Sequence, residues 1–522
     1  MRQRHRFESL DPATPVVVGV GQAAERLGTP GYRRRSPVDL AADAARAALA
    51  DTGADADAIA AAIDTVAGIR QVEISSPAAR APLGRSDNYP RSVAGRIGAA
   101  PGRAILEVAG GQGPQHLVSE LAAVIAAGGA RVVLAFGSEA ISTIEHDARA
   151  ADRPDFTEHA GGSLEDRGYG TDGIRSGDPE AHGLISAPSV HALAENARRA
   201  RLGQHRAAYA AAMGELFEPF TRVAAANPYA AAPVARSAAE LITLTEANRP
   251  IADPYPRYLV AREEVNQGAA VLLMPVVAAL RYGIPADRWV FLHGHADLRE
   301  RDLLDRADLS AGPASVLAAR GALEMAGIGL DDLATIDLYS SFPIAVFTIC
   351  DGLGLATDDP RGLTLTGGLP FFGGAGHNYS MHAIAETVQR ARQAPGSFGF
   401  VGASGGYLST YSAGVYSTRP AAWVPDRSAV LQAEVSAGEA PPLARHADGP
   451  AVIESFTVTH ARDGAAAGVV IGRLEAGGER FAARGADGDR ELLDLLTTAG
   501  QPIGQRVGAR SGESGNLVTA TA

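Results

Sequence analysis

From Pro15 onward, short β-branched runs alternate with Ala-rich stretches. PVVVGV, Pro15–Val20, reads as a strand. Pro37 then opens a helical stretch, PVDLAADAARAALADTG, that Gly53 closes. Ile63–Ile69 and Arg103–Ala109 predict further strands. Pro114–Gly128 predicts a helix entered through a glycine-rich turn, and Arg131–Gly137 a strand of continuous apolar character. Runs without alternation suit a sheet buried on both faces, and strand, crossover helix and strand in series predict an α/β architecture.

Between about Ile141 and Ala261 this rhythm stops. A Gly/Asp/Arg/His-rich stretch, EDRGYGTDGIRSGDPEAHG, leads into helical pieces around His191–Arg201 and Gln204–Phe217, which reads as an inserted cap or loop region. The alternation resumes with AAVLLM and WVFLHGHADL as strands and Pro313–Ala326 as a helix. ATIDLYSSF and LTLTGG read as strands, PIAVFTICDGLGL and Tyr379–Gln393 as helices, and FGFVGASGGYLSTYSAGVYS as two strands. The shared order of the two runs suggests duplicated halves. After Thr418 the texture changes to short alternating runs (AVLQAEV, AVIESFTVTH, AGVVIGRLEA, ERFAAR) with one helix-like LLDLLT, as in a small β-barrel or sandwich; the last dozen residues read as disordered. The expected organisation is residues 1–283 with 141–261 inserted, then 284–418, then 419–522.

Composition narrows the chemistry. With 46% hydrophobic residues in 522, the chain can bury a sizeable core. Forty-seven basic against fifty-nine acidic residues leave a net charge of −12, a poor balance for broad capture of nucleic acid or anionic membrane. Every basic residue among those 47 is Arg, which excludes a Walker-type phosphate loop, a pyridoxal Schiff base and a lysine-dependent aldolase. The single cysteine, Cys350, excludes a disulfide framework and a multi-cysteine zinc site. The longest oily stretch, Ala269–Leu280, is broken by Pro275 and too short to span a bilayer, and no cleavage site follows the basic start; a cytoplasmic protein without membrane contact is expected.

Four turns, three of them glycine-rich, stand at predicted strand ends. Gly110-Gly111-Gln112-Gly113-Pro114 precedes a helix, where unpaired N–H groups face a cleft. Gly373-Gly374-Ala375-Gly376-His377-Asn378 carries a histidine able to donate to a developing oxyanion or move a proton. Gly402-Ala403-Ser404-Gly405-Gly406-Tyr407 and Asp337-Leu338-Tyr339-Ser340-Ser341-Phe342 complete the set. Taken singly, each is as well explained by a tight turn; together they are what one cleft above an α/β sheet needs. His293 and His295 share a strand face but lack a third metal ligand. His191 and Glu195, four apart on a helix, predict a local side-chain pair, and Cys350 an inert core thiol.

As an ordered set these residues resemble the thiolase superfamily, especially its sterol-carrier-protein-2-like branch. The insertion carries AEN at 194–196, ANPYAA at 226–231 and RPIADPY at 249–255, followed by NQGAAVLL at 266–273. DLYSSF stands where that family has its Asn-Glu-Ala-Phe or His-Asp-Cys-Phe stretch, with Tyr339 in place of the water-holding Asn or His. Gly376-His377-Asn378 matches its Gly-His-Pro turn. The resemblance implies two βαβαβαββ halves in a five-layered αβαβα body, with a coenzyme A thioester bound between the halves and the loop domain. It puts the acylated cysteine of the family at Gly111 or Gln112 and the acid/base cysteine near Ser404, while Cys350 matches neither place. Loss of such a nucleophile costs on the order of 10⁴–10⁶ in rate.

The same resemblance implies that Gly111, Gln112, Gly113, Gly376, Asn378, Ser404, Gly405 and Gly406 surround the substrate, with His377, Tyr407 and Tyr339 as candidate catalytic groups. It likens residues 419–522 to the additional OB-like domain of type 1 thiolase-like proteins, whose only aromatics here, Trp423, Phe456 and Phe481, make a poor nucleic-acid surface. The leading expectation is a monomeric or homodimeric protein of lipid metabolism that binds CoA or acyl-CoA without thiolysis or condensation. The alternatives are a cysteine-independent retro-aldolase acting on hydroxyacyl-CoA, with Tyr407, Tyr339 or Tyr379 moving the proton, and a structural partner of another thiolase-like chain.

Overall fold

The structure, a computed structural model, describes residues 10–170, 180–498, 500–513 and 515–520. The expected Gly/Asp-rich stretch therefore lies partly outside the described residues. The chain begins with β1 (Pro15–Ala24) and helix α1 (Pro37–Asp51). Ser36 starts α1 with a reciprocal cap: its Oγ accepts from Asp39 N at 3.1 Å, and Asp39 Oδ2 accepts from Ser36 N at 3.1 Å. Buried alanines along α1 let it lie flush on β1, where a Cβ at Gly19 or Gly21 would strike the helix backbone.

β2 (Thr65–Ile69), β3 (Arg103–Glu107), α2 (Gly113–Ala126), β4 (Val133–Ala140) and the two-residue β5 (Glu165–Asp166) follow. The insertion supplies α3 (Ala187–Arg201), α4 (Arg206–Ala226), β6 (Pro250–Ala252) and β7 (Tyr255–Pro256). β8 (Asn266–Pro275) then completes a six-stranded sheet in the order β1-β8-β4-β2-β3-β5. The second half contains β9 (Phe291–Arg299), α5 (Pro313–Ala326), β10 (Leu333–Leu338), α6 (Pro343–Leu353), α7 (Tyr379–Gln393), β11 (Phe398–Gly405) and β12 (Thr410–Ser417). Its sheet runs β10-β11-β12-β9.

Helices α2 and α7 lie between the sheets. Leu117 and Leu121 meet Ile384 and Val388 there, against Val133 and Val271 of the first sheet and Val401 of the second. Helix α1 covers the other face of the first sheet, while α5 and α6 cover the other face of the second. Helices and sheets thus alternate in five layers.

LTLTGG is not a strand, and this corrects the expectation. In the order of the second sheet it stands beyond β10, where the first half has β3. Asp337 Oδ2 accepts from Leu365 N at 2.7 Å, from Thr366 N at 3.1 Å and from both threonine hydroxyls. The carboxylate takes the amides that a fifth strand would have paired.

The C-terminal region differs from its expected pattern at two places. AVLQAEV belongs to a helix, α8 (Ser428–Ala437), whose buried Ser428 and Val435 stand two helical turns apart. The chain end is ordered as strands up to Ala520. β13 (Gly449–His460), β14 (Ala466–Leu474), β15 (Arg480–Gly485), α9 (Arg490–Thr498), β16 (Arg506–Gly512) and β17 (Gly515–Ala520) make up this region. The strand order β14-β15-β17-β16-β13, with β13 pairing back to β14, closes a five-stranded barrel. β6 of the insertion pairs with β13 at Ala252 and Thr459, and Asn196 Nδ2 donates to Phe456 O at 3.1 Å. Insertion and barrel therefore share one sheet. No helix among the described residues is long and apolar enough to cross a membrane.

Candidate functional site

β2, β3 and β4 run parallel, as do β10 and β11, so chain segments leaving β3, β10 and β11 emerge at the same edge, where open α/β sheets form clefts. All four predicted turns converge on one cavity of about 350 Å³. Gly111, Tyr339, Gly376, His377, Ser404, Gly405, Gly406 and Tyr407 line it, and Pro188, His191, Val260 and Ala261 close it from the insertion.

Gly111 stands at the centre. A Cβ there would lie well inside the 3.0 Å that real contacts essentially never breach, against both Tyr339 Oη and Ser404 O. Its carbonyl accepts from Ser380 Oγ at 2.6 Å. Tyr339 Oη makes no hydrogen bond within the described residues, and burial alone raises its phenol above the ordinary tyrosine range. The hydroxyl is a protonated donor facing the cavity.

His377 has an Nε2 that is buried without a partner. Desolvation, and secondarily the Arg70 charge, lower it to about 4. The imidazole is therefore neutral at ordinary pH, suited to donating one N–H rather than delivering a proton from a cation. Tyr407 Oη donates to Ile185 O at 3.4 Å, a long bond that ties the last turn to the insertion.

Three predicted residues sit elsewhere. Gln112 caps α2 and turns its side chain toward Gly110 and Gly405, where Oε1 is buried without a partner. Gly113 is the first residue of α2 and packs beside Ile69. Asn378 is buried and donates through Nδ2 to Gly137 O at 2.7 Å, fastening α7 to β4. None of the three lines the cavity, because the turn before each helix exposes one side and buries the other.

The histidine and cysteine readings divide. His191 and Glu195 do not pair: His191 Nδ1 bonds Ala187 O at 2.8 Å and its ring stacks on Phe342, while Glu195 accepts from Tyr255 Oη at 2.6 Å and from Tyr209 Oη. His293 and His295 bond the backbone carbonyls of Arg419 and Val424. Cys350 is buried in α6 outside the cavity, and burial pushes its thiol up to about 12. Glu107, His116 and Glu120 lie close enough together to hold a cation, but Arg167 ion-pairs with both carboxylates at 2.7 and 2.5 Å, so the site is a salt-bridge network.

Two features escape the sequence reading. Glu139, at the end of β4, is buried beneath Gly376, and its Oε1 accepts from Val72 N at 2.9 Å. Desolvation holds its carboxyl well above the usual range, and the neighbouring Glu73 is raised to about 7 for the same cause. A lone acid ending a buried apolar strand was the available signal. The second is an adjoining cavity of about 260 Å³ that shares Pro188, Val260, Ala261 and Glu263 with the first. Arg236, Arg249, Arg257, Arg262 and Arg462 line it, against Glu263 and Glu264. Arg236 lies over the Tyr258 ring at 4.1 Å, and Arg462 comes from the β13–β14 turn of the barrel. An overall charge of −12 hid this cluster.

The fold is thiolase-like: it matches that of the dimeric peroxisomal thiolase of Saccharomyces cerevisiae at TM-score 0.56 and 14% identity, covering 79% of this chain and 99% of that one. It also matches the Ltp2–ChsH2(DUF35) aldolase at TM-score 0.57 and 17% identity, covering 78% and 98%. A monomeric SCP2-thiolase-like protein type 1 from Mycobacterium smegmatis is 51% identical over 98% of this chain and 100% of that one, at TM-score 0.84. The chain belongs to the SCP2-thiolase-like proteins of type 1. Residues 430–514 match the additional C-terminal domain of thiolase-like protein type 1. No curated protein sequence matches the chain.

Proposed function

We propose that this protein binds coenzyme A or an acyl-CoA without taking the acyl group onto a cysteine. The observation that carries the reading is the pair of adjoining cavities. Coenzyme A has a polyphosphate head and a thioester end joined by a slender arm. Five guanidinium groups in one cavity suit the phosphates, which arginine holds with charge-assisted, often bidentate bonds. The neighbouring cavity suits the thioester: the Tyr339 hydroxyl and a neutral His377 N–H would polarise its carbonyl oxygen. Gly111 or Gln112 stands where the family's nucleophile is expected, and the Tyr339 hydroxyl fills the space a Gly111 side chain would need. Cys350 is too buried and too weakly acidic to replace that nucleophile.

The expected result is calorimetric binding of CoA and acetyl-CoA, with no thiolysis of acetoacetyl-CoA. Turnover at roughly 1–10³ s⁻¹ would refute the reading. A second reading, cleavage of a hydroxyacyl-CoA by retro-aldol chemistry, has in its favour that Tyr339, Tyr407 and His377 line one cavity. Tyr407, as its phenolate and released from Ile185 O, would take the hydroxyl proton. The Cα–Cβ bond would break, the β-carbon would leave as a ketone, and Tyr339, held protonated, would hydrogen-bond the thioester enolate oxygen left behind. Tyr407→Phe and His377→Ala should then each abolish cleavage of a tertiary hydroxyacyl-CoA; no cleavage by the unaltered protein rejects it. The protein acts as a single copy in this proposal, because β5 covers the outer edge of β3 through Ile105–Glu165 and Leu106–Asp166. A dimer in sedimentation would count against that.

A further inference from the structure

A third cavity, about 560 Å³, lies apart from the two already described, between the 300–312 connection, α5, α6 and the end of α8. Ala311, Pro313, Val316, Leu317 and Val435 give it apolar walls. Arg306 lines it and is only 5% exposed. Its Nε donates to Arg301 O at 3.0 Å and its Nη2 to Tyr407 O at 2.9 Å. Among the described residues, Nη1 has no hydrogen bond and no carboxylate forms an ion pair with this guanidinium. A buried cation held only by carbonyl oxygens keeps one donor nitrogen for an anion.

The charges of Glu300 and Asp302 favour the Arg306 cation without ion-pairing to it, and the other acids of the lining are engaged or exposed. Glu300 accepts from Arg301 N at 3.0 Å and from Ala314 N at 2.9 Å, Asp308 accepts from Ser310, and Asp351 pairs with Arg198 and Arg201. Glu434 and Glu439 are exposed and would disfavour a dianion more than a monoanion. The same connection is gripped from the other side by the barrel: Arg480, fully buried, donates to Leu304 O at 2.8 Å and to Arg306 O. Whatever rests on Arg306 therefore rests on the link between the barrel and the Tyr407 turn, where Leu408 has a left-handed φ of 53°.

We propose that this cavity is a second ligand site, taking a monocarboxylate with an apolar chain on Arg306, and that its occupancy is felt at the Tyr407 turn. Octanoate is the probe, with octan-1-ol as its uncharged counterpart, titrated calorimetrically into the full chain. Octanoate should bind, octanol should bind at least about tenfold more weakly, and Val316→Trp, which fills the cavity, should weaken octanoate at least about tenfold. Leu317→Trp serves if Val316→Trp does not fold. Equal octanoate affinity in the filled variant would put the ligand elsewhere and overturn the site, as would equal binding of octanol or no binding of octanoate. Amide exchange at residues 407–409 should slow when octanoate binds; unchanged exchange there overturns the coupling.

Discussion

Gly111 and Tyr339 exchange roles that one residue would otherwise fill. A side chain at Gly111 and the phenol of Tyr339 compete for the same space, so their substitutions should be coupled rather than additive. Gly111→Cys alone is expected to destabilise by about 2 kcal/mol through overpacking, and Tyr339→Ala in the same chain should recover much of that loss. Urea unfolding of the single and double variants measures the coupling; additive losses would show that the two positions do not contend. The glycine was legible in the sequence as a turn residue at one of the two positions, Gly111 or Gln112, where the resemblance put the nucleophile. That Tyr339 closes over it was not, because nothing in DLYSSF says how far a side chain reaches across from the other half.

Single buried carboxyls hold the elements in place. Glu195 joins α3 to α4 and β7 through the hydroxyls of Tyr209 and Tyr255. Burial raises it from 4.5 to about 7, against the lowering effect of both tyrosine bonds. The folded state therefore binds this proton more tightly than the unfolded chain. The stability it contributes is fully present below about pH 4.5 and is lost as pH rises toward about 7, at up to about 1.4 kcal/mol per pH unit. The buried His191 and His377, both lowered to about 4, act oppositely as pH rises to about 6.5. The Glu195 contribution is isolated by comparison with Glu195→Gln. The stability of the native chain relative to that variant should fall between about pH 5 and 7; a constant difference would contradict the assignment.

Asp337 shows the same kind of control over a segment. Asp337→Ala should cost about 3 kcal/mol by stranding the Leu365 and Thr366 amides, measured by urea unfolding; a loss under about 0.5 kcal/mol would mean those amides find other partners. The sequence made LTLTGG a strand because alternation counts side chains and cannot see a carboxylate capturing the backbone. AVLQAEV was misread for a related reason, since seven residues fit either period. The longer elements, α1, α2, α5 and α7, were legible because caps, prolines and helical spacing agreed.

At the scale of the molecule, the barrel is joined to the insertion and lines one of the two adjoining cavities. It shares a sheet with the insertion through β6 and β13, and it contributes Arg462 to the arginine cavity. Arg462→Ala is expected to weaken CoA binding about tenfold, a loss of about 1.4 kcal/mol, with the thermal midpoint nearly unchanged because the residue is exposed. Unchanged affinity would remove the barrel from the binding surface. Strands β13, β14 and β15 were legible in the alternating runs, whereas β16 and β17 were not. Nor was the barrel's contribution of a cation, because five arginines scattered over more than two hundred positions meet only in the fold.

The most direct measurement is a crystal structure of the protein soaked with acetyl-CoA. An intact thioester with its carbonyl oxygen at Tyr339 and His377, and phosphates among Arg236, Arg249, Arg257, Arg262 and Arg462, is the predicted result. An acetyl group bonded to any side chain, or a ligand absent from both adjoining cavities at saturating concentration, would contradict it.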